Sequence, residues 1–400
     1  MLVKIILLIL FFGCMIAVGL YARKSANSMT DFVLGGRSVG PWLSAFAYGT
    51  SYFSAVVFVG YAGQFGWKYG LASTWIGLGN AVIGSLLAWV AMGRRTRVMT
   101  HHLEVATMPD FFGKRYDSNI LRVVASAIAF VFMIPYTASV YNGLSRLFGM
   151  AFDIPYTVCV VTMAVLTGVY VILGGYMATA INDFIQGIIM LFGIVAVIGA
   201  VLSGQGGFIE AVRKLSELPS DVPVTLGQQG AFASFFGTDP LNLLGVIILT
   251  SLGTWGLPQM VHKFYAIKSE KAIKTGTIVS TFFAVIVSGG CYFLGGFGRL
   301  FDAPELYKAD GSIMYDAIIP AMLSTLPDIL IGIVIILVLS ASMSTLSSLV
   351  LTSASTLTLD FIKGNNVGDM DDKKQLIYIR VLIVFFIVVS VVLALNPPTF

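Results

Sequence analysis

The run Ser340-Ala-Ser-Met-Ser-Thr-Leu-Ser-Ser348 puts six hydroxyl residues on nine positions, inside a stretch that otherwise reads as a membrane helix. Each unsatisfied polar group costs free energy in lipid, so hydroxyls at that density need partners. Ser344, Ser347 and Ser348 fall at i, i+3 and i+4 and share one helical face, with Thr345 beside them. A cluster of neutral oxygens at membrane depth suits a hard cation such as Na+ better than Zn2+ or a catalytic metal. The same small residues also serve, in other helices, only to let neighbours approach closely.

Two further runs carry polar residues where a membrane helix would not place them. Ala47-Tyr-Gly-Thr-Ser-Tyr-Phe-Ser-Ala55 holds Gly49, Thr50, Ser51 and Ser54, weak helix formers in the middle of an apolar segment. Ser251-Leu-Gly-Thr-Trp-Gly-Leu-Pro258 holds Gly253, Gly256 and Pro258. A helix that opens at such a point frees backbone carbonyls for a cation and aims half-helix ends at a solute. A continuous helix with a Gly/Ser packing face is the other reading of the first run, and a plain Pro kink that of the second. Asp183 stands in Ile181-Asn-Asp-Phe-Ile-Gln186, at the start of another apolar run. It reads either as an N-terminal helix residue complementing the dipole or as a ligand. Ser344 follows Ile329 by 15 residues, or ~22 Å of descent at 1.5 Å per residue. That depth brings the serines to the side from which Asp183 enters, and a carboxylate with three hydroxyls would make a second cation site. Tyr48, Tyr52, Phe53, Tyr136 and Trp255 are candidates to line a cavity between the two interrupted runs; Tyr136 follows Pro135, where a helix distorts.

These residues must be positioned by membrane helices. The chain is 57% hydrophobic and 11% charged, with a mean hydropathy of +0.89, whereas soluble domains carry about 25% charged residues. Apolar spans are expected at 3–21, 41–63, 71–92, 121–143, 155–174, 182–203, 241–262, 276–298, 329–361 and 377–395, forming one transmembrane domain over 1–400. Cys14, Cys159 and Cys291 lie in spans without a disulfide pattern, and the histidines show no metal-ligand spacing. No nucleophile–base or phosphate-loop motif appears, so an enzyme is not expected, and a net charge of +4 gives no reason to invoke nucleic acid. Neither a soluble signalling domain nor an obligate protein partner is evident; a small solute and the bilayer are the expected partners. With the N-terminus outside, the inner side receives 17 of the 24 basic residues, counting Lys263 and Lys363, and the outer side 7. That bias predicts a multi-pass plasma-membrane protein in this orientation. The interrupted second and seventh spans lie five apart, at equivalent places of two oppositely oriented units, the mark of inverted-repeat transporters.

Asp31-Phe-Val-Leu-Gly-Gly-Arg-Ser-Val-Gly-Pro41, Gly174-Gly-Tyr-Met-Ala-Thr-Ala-Ile-Asn-Asp-Phe-Ile-Gln186 and Ser342-Met-Ser-Thr-Leu-Ser-Ser348 together resemble motifs of the sodium/solute symporter family, over nearly all of the chain. Asn182 stands where that family commonly has Thr. The resemblance implies an all-α leucine-transporter fold, with an extra N-terminal helix in 1–30, a first repeat over 38–203 and a second over 238–400. The second repeat is expected to be short of its fifth helix. It implies a sodium ion held by the carbonyls of Thr50, Phe53 and Ala341 and the hydroxyls of Ser344 and Thr345. In some relatives, residues matching Asp183, Ser344, Ser347 and Ser348 hold a second sodium. Tyr136 and Ser54 match substrate-side positions, and Tyr52 and Trp255 are expected near them. Proline carriers of the family have Asp where this chain has Tyr52, and tryptophans where it has Val56 and Thr250, while Gly253–Pro258 is closer in style to pantothenate-type carriers. The function implied is sodium-coupled import of a small organic solute, an amino acid such as proline or a carboxylate such as pantothenate. A solute-sensing domain of the same fold and a proton-coupled carrier using Asp183 are the alternatives.

Overall fold

In a computed structural model the protein is described over residues 2–152, 155–362 and 371–396. Lys363 and the C-terminal Pro397–Phe400 lie outside the described residues. The principal helices are α1 (Leu2–Ala22), α2 (Pro41–Tyr52), α3 (Ala62–Tyr69), α4 (74–102, much of it π-helical), α5 (Asn119–Phe152) and α6 (Tyr156–Gly204). They continue as α7 (Pro240–Leu252), α8 (Pro258–Ala266), α9 (Glu270–Gly295), α10 (Asp328–Thr356) and α11 (Asp372–Leu395). Two isolated β-bridges are the sole extended pairings among the described residues.

Length and composition alone pick out seven helices able to cross a membrane, or eight when α7 and α8, bent by 53°, count as one broken span. Two of the seven are too long to be single crossings. α6 has 49 residues, about 74 Å at 1.5 Å per residue, more than twice the ~30 Å hydrocarbon core. It is interrupted at Gly175 (φ 53°, ψ −142°), a left-handed conformation open to glycine. A side chain there would also meet the Phe32 carbonyl at 2.5 Å. The 47-residue stretch Val56–His102 is interrupted in the same way at Gly70 (φ 62°, ψ −142°). Divided at these glycines, and with α2–α3 as one broken crossing, the helices make ten crossings. Gly174–Asn182 is therefore no loop: the chain turns at a single residue and the helix resumes. Asp183 consequently stands about two turns inside a helix and not at its N-cap.

Successive crossings run antiparallel, as their end contacts show. Lys4 pairs with Asp328 at 2.9 Å and the Tyr156 hydroxyl donates to the Ala394 carbonyl at 2.8 Å at one end of the bundle. At the other end, rich in basic residues, Ala22 abuts Gly174 and Arg122 pairs with Asp360 at 3.1 Å. There the strand-like residue Val39, just before α2, accepts from Lys268 N at 3.0 Å and donates to the Ala266 carbonyl at 3.2 Å. Both broken spans are thus stitched together at their basic ends. α3 and α9 cross so closely that a Cβ on Gly66 would stand 2.0 Å from the Gly295 carbonyl oxygen. The central helix is α10: 72% of its most apolar window is buried, against 22% for α1. The hydroxyl run therefore faces protein and not lipid.

Candidate functional site

α2 begins with Pro41 at its first turn, where proline's missing N–H costs nothing, and stops at Phe53 (φ −104°, ψ 92°). Helical bonding resumes with Val57 N donating to Ser54 O at 3.0 Å. Near the break the Thr50 carbonyl faces α10. It lies 3.1 Å from Ser344 Oγ and 3.5 Å from Thr345 Oγ1. The Ala341 carbonyl is 3.2 Å from Ser344 Oγ and 3.1 Å from Thr345 Oγ1. Four of the five oxygens expected at the first cation position thus converge, and Phe53 occupies the break beside them. All five residues are buried. A hard cation of calcium's size holds oxygens at about 2.4 Å, which sets neighbouring ligands about 3.4 Å apart. The spacing fits. With no acid in the group, its pull on a cation comes from dipoles, which suits a monovalent ion bound reversibly.

One turn further along α10 the second group differs. Ser347 Oγ donates to the Ser344 carbonyl at 3.0 Å. Ser348 Oγ lies 2.9 Å from Ser51 Oγ and accepts from Lys263 Nζ at 2.9 Å. The same ammonium is 3.6 Å from Asp183 Oδ2, an ion pair just beyond hydrogen-bond range. Neither Asp183 oxygen has a hydrogen-bond partner among the described residues. Asp183 is therefore linked to Ser348 through Lys263. Sequence reading assigned Lys263 to a basic loop, but α8 continues to Ala266 and buries it to 2% exposure. The signal was present: an apolar turn, Phe264-Tyr-Ala-Ile267, follows the lysine, and a solvated loop would not carry one.

A cavity of about 320 Å³ opens between the breaks of α2–α3 and α7–α8. Tyr52, Ser54 and Tyr136 line it. Trp255 does not: its indole N–H donates to the Ile83 carbonyl at 3.0 Å, which holds the ring against α4. Tyr48 is likewise turned away, donating to the Gly84 carbonyl at 2.9 Å. Sequence reasoning missed Asn80, whose side-chain oxygen accepts from Thr250 Oγ1 and Ser251 Oγ at 3.0 Å each. Asn80 and Thr250 both reach the wall, and Tyr52 closes across the break by donating to the Thr250 carbonyl at 3.0 Å. None of the lining residues is charged.

A sequence model of the sodium:solute symporter family matches residues 32–399. The chain belongs to this family. It resembles sodium/proline symporter 2 of Staphylococcus saprophyticus, 29% identical over 98% of this chain and 75% of that protein. The sodium/proline symporter of Staphylococcus aureus strain JH9 is similar to the same degree, 29% identical over the same shares of the two chains. A solved Na+-coupled sialic acid symporter in a substrate-bound outward-open state superposes with a TM-score of 0.81 at 17% identity, over 98% of this chain and 80% of that one. That likeness establishes the leucine-transporter type of fold. As a family member, the protein is a multi-pass membrane symporter that couples solute movement to sodium, and it is not an enzyme.

Proposed function

We propose that the symporter imports a small organic carboxylate bulkier than proline, with pantothenate as the first candidate. One observation carries this reading. The three positions at which the chain departs from proline carriers, Tyr52, Val56 and Thr250, all line the same cavity. Tyr in place of Asp removes the anion that would pair with a substrate ammonium. Val and Thr in place of two tryptophans leave room for a longer solute. A carboxylate would be oriented by Ser54, Tyr136 and the free backbone groups of the broken helices, as helix ends do for anions. Sodium would bind at Thr50, Phe53, Ala341, Ser344 and Thr345, next to the cavity, and favour the same conformation as the solute. Proline itself is the second reading, favoured by the similarity to the staphylococcal proline symporters.

The basic end of the bundle is assigned to the cytoplasm and the N-terminus to the outside, by a distribution of Lys and Arg that stays at 16 to 7 when Lys263, inside α8, is set aside. The first repeat is assigned to 38–203 and the second to 238–400, with α1 as the extra helix. Reconstituted protein given an inward sodium gradient should accumulate labelled pantothenate, with proline a weak competitor. Proline accumulation that excess pantothenate leaves untouched would reverse the order of the two candidates. Uptake of either solute without sodium would favour a proton-coupled carrier.

A further inference from the structure

Lys263 is the charged group that the solute cavity and the first cation position leave unexplained. It is 2% exposed and reaches in from α8, the basic-end half of the broken seventh span. Its ammonium donates to Ser348 Oγ at 2.9 Å and stands 3.6 Å from Asp183 Oδ2. The face of Tyr176 lies behind it, with the ring centroid 5.3 Å away. A carboxylate, a hydroxyl and an aromatic face are what a buried cation needs. The carboxylate and that hydroxyl belong to the second group of oxygens. A sodium ion placed there would need the same atoms, at about 2.4 Å, and would sit in contact with a like charge. Asp183 has no hydrogen-bond partner among the described residues, and the ammonium 3.6 Å away is its ion-pair partner.

We propose that Lys263 is a tethered cation that takes the place of a second sodium ion, so that this chain binds one sodium only. The count of one rests on the cation position proposed above; occupation of the second group by the amine does not. The amine is carried on α8, so this charge travels with the broken helix and is never exchanged with solvent. The ion set is then one diffusible cation and one built-in cation, a turn of α10 apart.

The experiment is equilibrium binding of 22Na+ to the full chain in lipid nanodiscs, without solute. Wild type is expected to bind one ion per chain. Lys263→Met, which keeps the stem and removes the charge, is expected to bind two. Lys263→Met/Asp183→Asn is expected to return to one. Two ions on wild type overturn the proposal, and so does a Lys263→Met count equal to that of wild type, whatever that count is. A wild type that binds none defeats the first cation position instead, and a gain of one ion in Lys263→Met still supports the lysine assignment. Should Lys263→Met not fold, Lys263→Gln replaces it, and the wild-type count remains decisive: one supports, two overturns.

Discussion

Thr345→Val is the sharpest probe of the first cation position, because it deletes one oxygen and keeps the side-chain volume. Thr345 is fully buried, and its hydroxyl lies 3.1 Å from Ala341 O and 3.5 Å from Thr50 O. Without sodium the hydroxyl is placed to donate back to the carbonyl four residues earlier. That carbonyl already serves the helix, so losing the bond costs at most about 1 kcal/mol and leaves no orphaned donor. With sodium the hydroxyl turns its lone pairs to the ion, and its loss removes one ligand of about five. A polar contact of that kind is worth about 1–2 kcal/mol, or about a 5- to 30-fold weaker sodium affinity. Thr345→Ser keeps the oxygen and should stay within about threefold of wild type, under 0.7 kcal/mol. Sodium titration of thermal stability in the purified protein reads both numbers, since an ion that binds the folded state raises its stability with concentration. If Thr345→Val and Ser344→Ala both keep wild-type sodium affinity, the oxygens converging on Thr50 are a packing contact and the assignment fails.

Three other outcomes are expected. In sodium-free buffer, Asp183→Asn and Lys263→Met should each destabilise by about 3–5 kcal/mol by stranding a buried charge; the double variant should regain most of that, and strictly additive losses in a thermal cycle would show that the two groups do not interact. Val56→Trp refills the cavity wall and should raise the KM for a bulky carboxylate by roughly tenfold or more while sparing sodium binding; an unchanged KM in transport assays would move the solute elsewhere. Gly66→Ala places a methyl 2.0 Å from the Gly295 carbonyl and should cost about 1–3 kcal/mol or prevent folding, whereas Gly13→Ala, with nothing within 4 Å, should leave the melting temperature of monodisperse protein within about 2 °C of wild type.

The membrane class and the hydroxyl run were legible because hydropathy and helical spacing are local properties. Ser344, Ser347 and Ser348 share a face by sequence offset alone, and the weak formers at 49–51 stand just before the break at Phe53. What stayed hidden depends on partners far along the chain. Asn80, an amide inside the expected span 71–92, was visible as a polar residue, but its partners were not, since it accepts from Thr250 and Ser251, about 170 residues later. Trp255 carried the right chemistry at the right break, but the direction of its ring is set by the Ile83 carbonyl on α4. Lys263 was misplaced because a lysine near the end of an apolar run is usually solvated; the pull of Asp183, 80 positions away, cannot be seen from the run. The sharp turn at Gly175 was read as a short loop for a similar reason. A single glycine in a left-handed conformation reverses the chain without the polar residues that mark an ordinary connection.

The backbone stitch between Val39 and the Ala266–Lys268 segment has a mechanical consequence. Each broken span has a half-helix at the basic end, α2 and α8, and side-chain contacts between them could slide. Two main-chain hydrogen bonds have no rotamers to absorb such a slide, so sliding breaks them. The two half-helices are therefore a pair of levers on a common shaft. Tilting one to admit water from the basic end with the bonds intact swings the other as well, carrying Thr50 and Lys263 together. Opening on that side is then expected to move both half-helices, because swinging one alone breaks two main-chain hydrogen bonds, about 1 kcal/mol each.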